Sequence, residues 1–136
     1  MRDKTVPQLL KIATRHFNEY IRLRDSEDGL GACISCGRRL KVPSVNSQAG
    51  HFYPAGNVGP LRFNEDNVHL QCKSCNYFKS GDLLNYRRNL LEKIGEKRVD
   101  KLDMTAAIAK RSSYKWNRFH LIEIIETYKL KKKELK

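Results

Sequence analysis

The sequence predicts a mainly helical α+β fold: a small core closed on four cysteines and flanked by N-terminal and C-terminal helices. Two Cys-x-x-Cys pairs, Cys33/Cys36 and Cys72/Cys75, take up all four cysteines of the 136-residue chain. Apolar residues recur at steps of three and four before and after these pairs. Between them lie only short apolar runs cut by Gly, Pro and Asn. The length suits one domain over residues 1–136, with an N-terminal helix at 7–28, a cysteine-closed core at 29–95 and basic helices at 96–136.

In the first segment Leu9, Leu10, Ile12, Ala13, Phe17, Tyr20, Ile21 and Leu23 give an amphipathic pattern from Pro7 to about Asp25, with Pro7 suited to a first turn. Gly29 and Gly31 are expected to end this helix. Arg15, Arg22 and Arg24 are nearly cancelled by Asp3, Glu19, Asp25, Glu27 and Asp28, so its polar side reads as a solvated face. Cys33-Ile34-Ser35-Cys36-Gly37 has the form of a knuckle, two thiolates on a tight turn whose glycine lets backbone amides face sulfur.

Short strands are expected at 38–42 and 49–53, separated by a turn-rich stretch, then an exposed loop at 54–60 and a brief extension at 61–63. Asn64-Glu65-Asp66-Asn67 reads as a polar turn that delivers Val68, His69 and Leu70 to the second knuckle. Asn76 falls where a helix is expected to begin, and Asn is a good N-cap. Leu83, Leu84, Tyr86, Leu90, Leu91 and Ile94 then mark a helix closing near Gly95. A short helix at 96–102 follows. Residues 105–133 read as one or two helices with Ile108, Tyr114, Trp116, Phe119, Ile122, Ile125 and Tyr128 as the buried stripe.

Hydrophobic residues make up 40% and charged residues 31%, which argues against wholesale disorder. No run approaches the roughly 18 apolar residues of a membrane span, and residues 1–7 lack the apolar stretch of a secretory signal. A cytoplasmic location is therefore expected, with no membrane partner. In a reducing compartment two close cysteine pairs are better explained as thiolate ligands of one zinc than as disulfides. Four thiolates complete zinc's tetrahedron, so such an ion holds structure and leaves no position for substrate. The net charge of +12, from 27 Lys+Arg against 15 Asp+Glu, points to a polyanionic partner, nucleic acid ahead of an anionic membrane. In the C-terminal segment Lys110, Arg111, Lys115, Arg118, Lys129, Lys131, Lys132, Lys133 and Lys136 face only Glu123, Glu126 and Glu134. Docking along phosphates and a plain lysine-rich tail both account for them.

Between and beside the knuckles stand His51, Asn67 and Asn76. Phosphodiester hydrolysis needs a base for the attacking water, a cation for the developing charge, and a clamp that orients both. His51 suits the base, and the Asn76 amide oxygen suits a hard cation such as Mg2+ or Mn2+. Asn67 suits a hydrogen bond across the loop. Each also has a plain structural role: a packed histidine, a turn residue, a helix cap.

The order C-x-x-C, Gly50-His51-Phe52-Tyr53-Pro54, Asn67 five residues before Cys72, and Cys75-Asn76-x-x-Lys79 resembles the HNH endonuclease motif in its zinc-stabilised form. More closely, Gln48-Ala49-Gly50-His51, Arg62-Phe63-Asn64-Glu65-Asp66-Asn67-Val68-His69, Gln71-Cys72 and Cys75-Asn76 resemble the bacteriophage NinG (Rap) recombination family. The Tyr20-Ile21-Arg22-Leu23-Arg24-Asp25 segment fits the same family. The resemblance implies a zinc-stabilised ββα-metal (HNH) core and a Mg2+- or Mn2+-dependent endodeoxyribonuclease of a phage or prophage. Its substrates are expected to be branched recombination intermediates, of Holliday-junction or D-loop type. By position His51 matches the general base, Asn67 the central asparagine and Asn76 the final metal ligand. The cysteines match the zinc knuckles of the phage junction-resolving endonuclease VII type. Paired nicks across a junction would favour a homodimer.

One position departs from the wider pattern. Where many HNH enzymes carry Asp or His just before the base, as a ligand of the catalytic metal, this chain has Gly50. Either another group supplies that ligand, with Asp82, Asp66, Glu65 and His69 as candidates, or His51 itself binds the metal and the base lies elsewhere. The alternative from a different class is a non-catalytic zinc-stabilised module that binds nucleic acid.

Overall fold

In a computed structural model, which describes residues 1, 3–109 and 114–135, the chain opens with a capping box. The Thr5 hydroxyl accepts from the Gln8 amide (3.2 Å) and the Gln8 side chain accepts from the Thr5 amide (2.8 Å). This box and Pro7 in the first turn launch helix α1 (Val6–Arg24). Leu9, Ala13, Phe17 and Ile21, spaced by four, form its fully buried stripe.

The helix stops short of residue 28 because Asp25, its C-cap, turns inward. Ser26–Glu27 (β1) then folds back on Leu30–Ala32 (β2), which pairs in turn with Arg39–Lys41 (β3) in a three-stranded antiparallel sheet. Gly29, at φ +75°, makes the β1–β2 turn and does not cap the helix. Gly31 lies within β2, where a Cβ would meet Leu70 and the Asp25 carbonyl. The first cysteine knuckle is the connection from β2 to β3.

A second, two-stranded sheet joins Ser47–His51 (β4) to Val68–Cys72 (β5), in antiparallel register from Ser47↔Cys72 to His51↔Val68. The expected strand at 49–53 therefore starts two residues earlier, and Phe52 and Tyr53 leave the ladder for the loop. That loop is less exposed than its composition suggests, since Val58 and Leu61 are buried beside a 3-10 turn at Gly59–Leu61. Residues 61–63 are turn and not extended chain. After Cys72 a single π-turn, Ser74–Phe78, replaces the expected helix start, so Asn76 lies inside a turn and caps nothing.

Asp82 precedes α2 (Leu83–Ile94), and Gly95 ends it. Helix α3 (Glu96–Ala109) outruns the expected 96–102, and α4 (Arg118–Leu135) follows. The break between α3 and α4 resets the helical phase. Leu121, Ile125 and Tyr128 are buried, whereas Ile108 and Phe119, expected in the stripe, stand 68% and 70% exposed and Tyr114 is also exposed. Lys110, Arg111 and Lys136 of the basic segment lie outside the described residues. Among the described residues no helix is long and apolar enough to cross a membrane.

Three apolar clusters meet at the β4–β5 sheet. Between α1 and α4, Phe17 meets Tyr128 and Phe63 edge-on, with ring centroids 4.8 and 5.5 Å apart. Phe52, Val58, Leu61, Tyr86, Leu90, Val99 and Leu102 join the loop to α2 and α3. Leu40 and Leu70 pack with the cysteines. Each fully buried large side chain stabilises the fold by about 1.5–3 kcal/mol, so each helix is fastened to its neighbours by several such contributions.

A charged knot ties α1, β5 and α2 together. Arg24 grips Asp25 through two nitrogens (2.8 and 3.0 Å), Asp25 accepts the Leu70 amide (2.9 Å), and Lys93 reaches Asp25 at 3.0 Å. Arg24 is thus an internal residue, contrary to its reading as part of a solvated face. His69 donates from Nε2 to the Asp66 carbonyl (2.9 Å), leaving Nδ1 to accept from Lys93 (2.9 Å) and Arg24 (3.1 Å). Burial, with Lys93 and Arg24 alongside, pushes the His69 pKa down to about 4, so this ring is neutral in the fold. For Asp25, burial works toward a higher pKa, but the bonds from Arg24, the Lys93 charge and the Leu70 amide bring it down to about 2.

Both depressed values act in one direction. The His69 contribution is full above pH 6.5 and is lost as pH falls toward about 4; that of Asp25 is lost lower, between 3.8 and about 2. The His69 part is on the order of 3 kcal/mol. Urea unfolding measured from pH 7 to pH 4 is expected to show falling stability, with a shallower slope in His69→Gln, whose amide can both accept and donate. An identical slope in the two proteins would refute the assignment of that window to His69.

Candidate functional site

The cysteines converge as their spacing requires. β2 and β3 hold the ends of the first knuckle, while β5 and the π-turn hold the second. The sulfurs of Cys33, Cys36, Cys72 and Cys75 all lie within 4.8 Å of one another. The Cys36–Cys72 separation of 3.7 Å matches the edge of about 3.8 Å in a tetrahedron with zinc–sulfur bonds of about 2.3 Å. In each knuckle the amide of the second cysteine points at the first sulfur, Cys36 to Cys33 at 3.5 Å and Cys75 to Cys72 at 3.4 Å. Burial pushes the Cys33 and Cys75 thiols up, so a cation is what would draw out their protons. This donor set fits a metal such as zinc.

His51 ends β4, and its ring is held by backbone. Nε2 lies 2.9 Å from the Arg62 carbonyl. A carbonyl only accepts, so Nε2 carries the proton and Nδ1 keeps the lone pair. Burial lowers the His51 pKa, with the Arg62 carbonyl opposing and the Arg62 charge assisting, which favours the neutral ring. Asn67, at 0% exposure, fastens the loop that presents this carbonyl. Its Oδ1 accepts from the Tyr53 amide (2.8 Å) and its Nδ2 donates to the carbonyls of Tyr53 (3.0 Å) and Leu61 (3.1 Å). The Asn67 carbonyl also accepts from the Phe52 amide (2.8 Å). One side chain thus holds the loop just after His51 and just before Arg62.

Asn76 is placed from the other direction. Its Nδ2 donates to Gln48 Oε1 at 2.8 Å, tying the π-turn to β4 three residues before His51 and leaving Asn76 Oδ1 as an acceptor. Among the described residues no hydrogen bond joins Asn76 to His51 or Asn67. The two asparagines therefore secure different sides of the strand that ends in His51.

Gly50 has a steric reason. A Cβ there would stand 1.9 Å from Gln71 Oε1. Gln71 is fully buried, with Nε2 on the Gly81 carbonyl (2.6 Å) and Ser35 Oγ (2.9 Å) and with Oε1 lacking a hydrogen-bond partner among the described residues. The space of a side chain at position 50 is thus filled from the paired strand. The Gly50 carbonyl accepts from the buried Tyr86 hydroxyl at 2.7 Å, which seats α2 on β4.

Of the candidates to replace a ligand at Gly50, three are engaged elsewhere. Glu65 accepts from Tyr20, Tyr128 and Lys131, Asp66 pairs with Arg98, and His69 belongs to the charged knot. Asp82 faces Cys75 Sγ (3.6 Å) and Asn85 (3.0 Å). Sequence reasoning missed Gln71, Tyr86 and the Arg62 carbonyl as positioning groups. Gln71 entered only as part of a family motif, since no strand was expected at Val68–Cys72, Tyr86 read as an ordinary helix residue, and a backbone carbonyl has no sequence signal at all.

A family model described as the bacteriophage lambda NinG protein matches residues 2–136. Protein ninG of Escherichia phage lambda is 35% identical over 127 residues, covering 93% of this chain and 57% of that protein. Protein ninG of Salmonella phage P22 shows the same identity and coverage. That of Enterobacteria phage H19B is 38% identical over 94 residues, covering 69% of this chain and 44% of its own. The chain spans a little over half the length of the lambda and P22 proteins. No solved structure matches it. Since the family match takes in both knuckles, His51, Asn67 and Asn76 together, the chain belongs to the bacteriophage NinG family.

Proposed function

We propose that this chain is an HNH-type, divalent-metal-dependent endodeoxyribonuclease acting on branched recombination intermediates, of Holliday-junction or D-loop type, with a structural zinc on its four cysteines. The observation that carries the reading is the His51 ring, clamped through Nε2 on the Arg62 carbonyl so that Nδ1 is free as a base. The succession of β4, β5 and α2, bound through Tyr86 and Gly50, supports a ββα core around it.

In this reading a water gives its proton to His51 Nδ1 as its oxygen bonds to phosphorus, and the bond from phosphorus to the leaving oxygen breaks. Asn67 is a positioning residue that fixes the loop on which the His51 tautomer depends. Asn76 Oδ1 is the protein oxygen that would hold Mg2+ or Mn2+, and the ion would supply positive charge to the reacting phosphate. The reading also implies a cytoplasmic protein in the bacterial host; paired nicks across a junction would favour a homodimer.

A second reading, a zinc-stabilised nucleic-acid-binding module without catalysis, draws on Gln71, which fills the space a metal ligand at position 50 would need. Cleavage of a synthetic four-way junction in Mg2+ or Mn2+ separates the two. His51→Ala is expected to lower the cleavage rate on the order of 10²–10⁴-fold with junction binding retained. Undiminished cleavage by this variant would remove His51 from the chemistry, and a wild-type protein that binds but never nicks would establish the second reading. Stripping the metal with a thiol-competent chelator is expected to abolish the cooperative unfolding transition and reduce ellipticity, because strands of two to five residues do not hold a sheet unaided. Unchanged circular dichroism after complete removal would show that the fold does not need it.

A further inference from the structure

The π-turn that carries Asn76 ends in two aromatic residues that no apolar cluster takes in. Tyr77 is 72% and Phe78 71% exposed, their rings edge-to-face with centroids 5.1 Å apart. Leu84, in the first turn of α2, is 86% exposed. Two adjacent aromatic rings this exposed contribute little to the core and are open to a partner.

The charge around them identifies the partner. Lys73, Lys79 and Arg88 lie in the same stretch of chain and, like many cations of this protein, have no carboxylate partner among the described residues. The one acidic residue between 73 and 91 is Asp82, which is turned toward Cys75 and Asn85. Exposed aromatic rings with cations beside them along the chain suit nucleobases flanked by phosphates. A second copy of the chain suits them poorly, because a two-fold contact would bring these cations against their own images. In a continuous duplex the base faces are covered by their neighbours; at a branch point or in a single strand they are open.

We propose that Tyr77 and Phe78 stack on unpaired bases at a DNA branch point, with Lys73, Lys79 and Arg88 on the adjoining phosphates, so that this turn selects branched or single-stranded DNA over duplex. This rests on the nuclease reading only in taking DNA as the partner. The site lies one residue from Asn76, so a base held on Tyr77 would bring its backbone to the turn from which Asn76 projects.

The test is equilibrium binding without added Mg2+ or Mn2+, so that no cleavage enters. A forked oligonucleotide carries 2-aminopurine at its branch point, and a duplex of equal length serves as the reference. Wild-type protein is expected to bind the fork more tightly than the duplex and to change the 2-aminopurine emission. Tyr77→Ala with Phe78→Ala is expected to weaken fork binding roughly 5- to 150-fold, to leave duplex binding within about twofold, and to abolish the emission change. Tyr77→Trp with Phe78→Trp retains fork preference, whereas the Leu pair, apolar but not flat, loses it; circular dichroism confirms that each variant is folded.

Equal losses on fork and duplex, or an emission signal that survives both alanines, would overturn the proposal. So would alanines that turn a dimer into a monomer or that remove binding to anionic vesicles while sparing the fork. Fork preference without cleavage in any divalent ion sinks the nuclease reading and leaves this one standing; cleavage without fork preference does the reverse.

Discussion

Strand β5 is buried on both faces, and the rest of the architecture follows from that constraint. All five of its residues, Val68 to Cys72, are buried. Successive side chains on a strand face opposite ways. Val68 packs with the α1–α4 cluster and Leu70 and Cys72 with the cysteines, while His69 and Gln71 alternate with them. A polar side chain buried without a partner costs on the order of 1–3 kcal/mol, so those two residues dictate what surrounds them. His69 has a backbone carbonyl on one nitrogen and two cationic donors near the other. Gln71 reaches across to Ser35 and Gly81, joining the first knuckle to the turn before α2, and lies so close to β4 that position 50 has room only for glycine.

The same burial explains how the candidate site is held. A loop from 52 to 67 joins β4 to β5, long enough to wander had it no internal anchor. Asn67, at the strand junction, binds three backbone groups of that loop, and the Trp116 indole donates to Gly59 at 3.1 Å. The result is a fixed Arg62 carbonyl that sets the tautomer of His51. Rigid backbone fixes this ring's proton position without placing a second charge in a half-buried position.

Charge is divided between two tasks. The surplus of +12 suggests a surface of uniform positive potential, yet several cations act inside the fold. Lys131 meets Glu65 and Lys132 meets Glu19, each at 2.6 Å, fastening α4 to the loop and to α1. The pairing leaves cations uncompensated along much of the chain, and those of the turn around Asn76, Lys73 and Lys79, are among them.

The sequence by itself determined the features that depend on local spacing. Two Cys-x-x-Cys pairs set the four-sulfur cluster, and apolar steps of three and four placed α1 and α2, because ligand geometry and helical pitch act within a few residues. Spacing also singled out His51, Asn67 and Asn76 as candidates, by resemblance to a family motif. Tertiary structure decided the rest. Asp25 turned inward to Arg24, Lys93 and Leu70, shortening α1 and creating the β1–β2 hairpin; the non-helical residues 114–117 changed which side chains of the C-terminal helices are buried. It also gave Gly50 its reason in Gln71, Asn76 its partner in Gln48 and His51 its partner in a backbone carbonyl. The partners of Gly50, Asn76 and His51 stand 11 to 28 residues away in the chain, where periodicity carries no information and only packing of the whole brings them into contact.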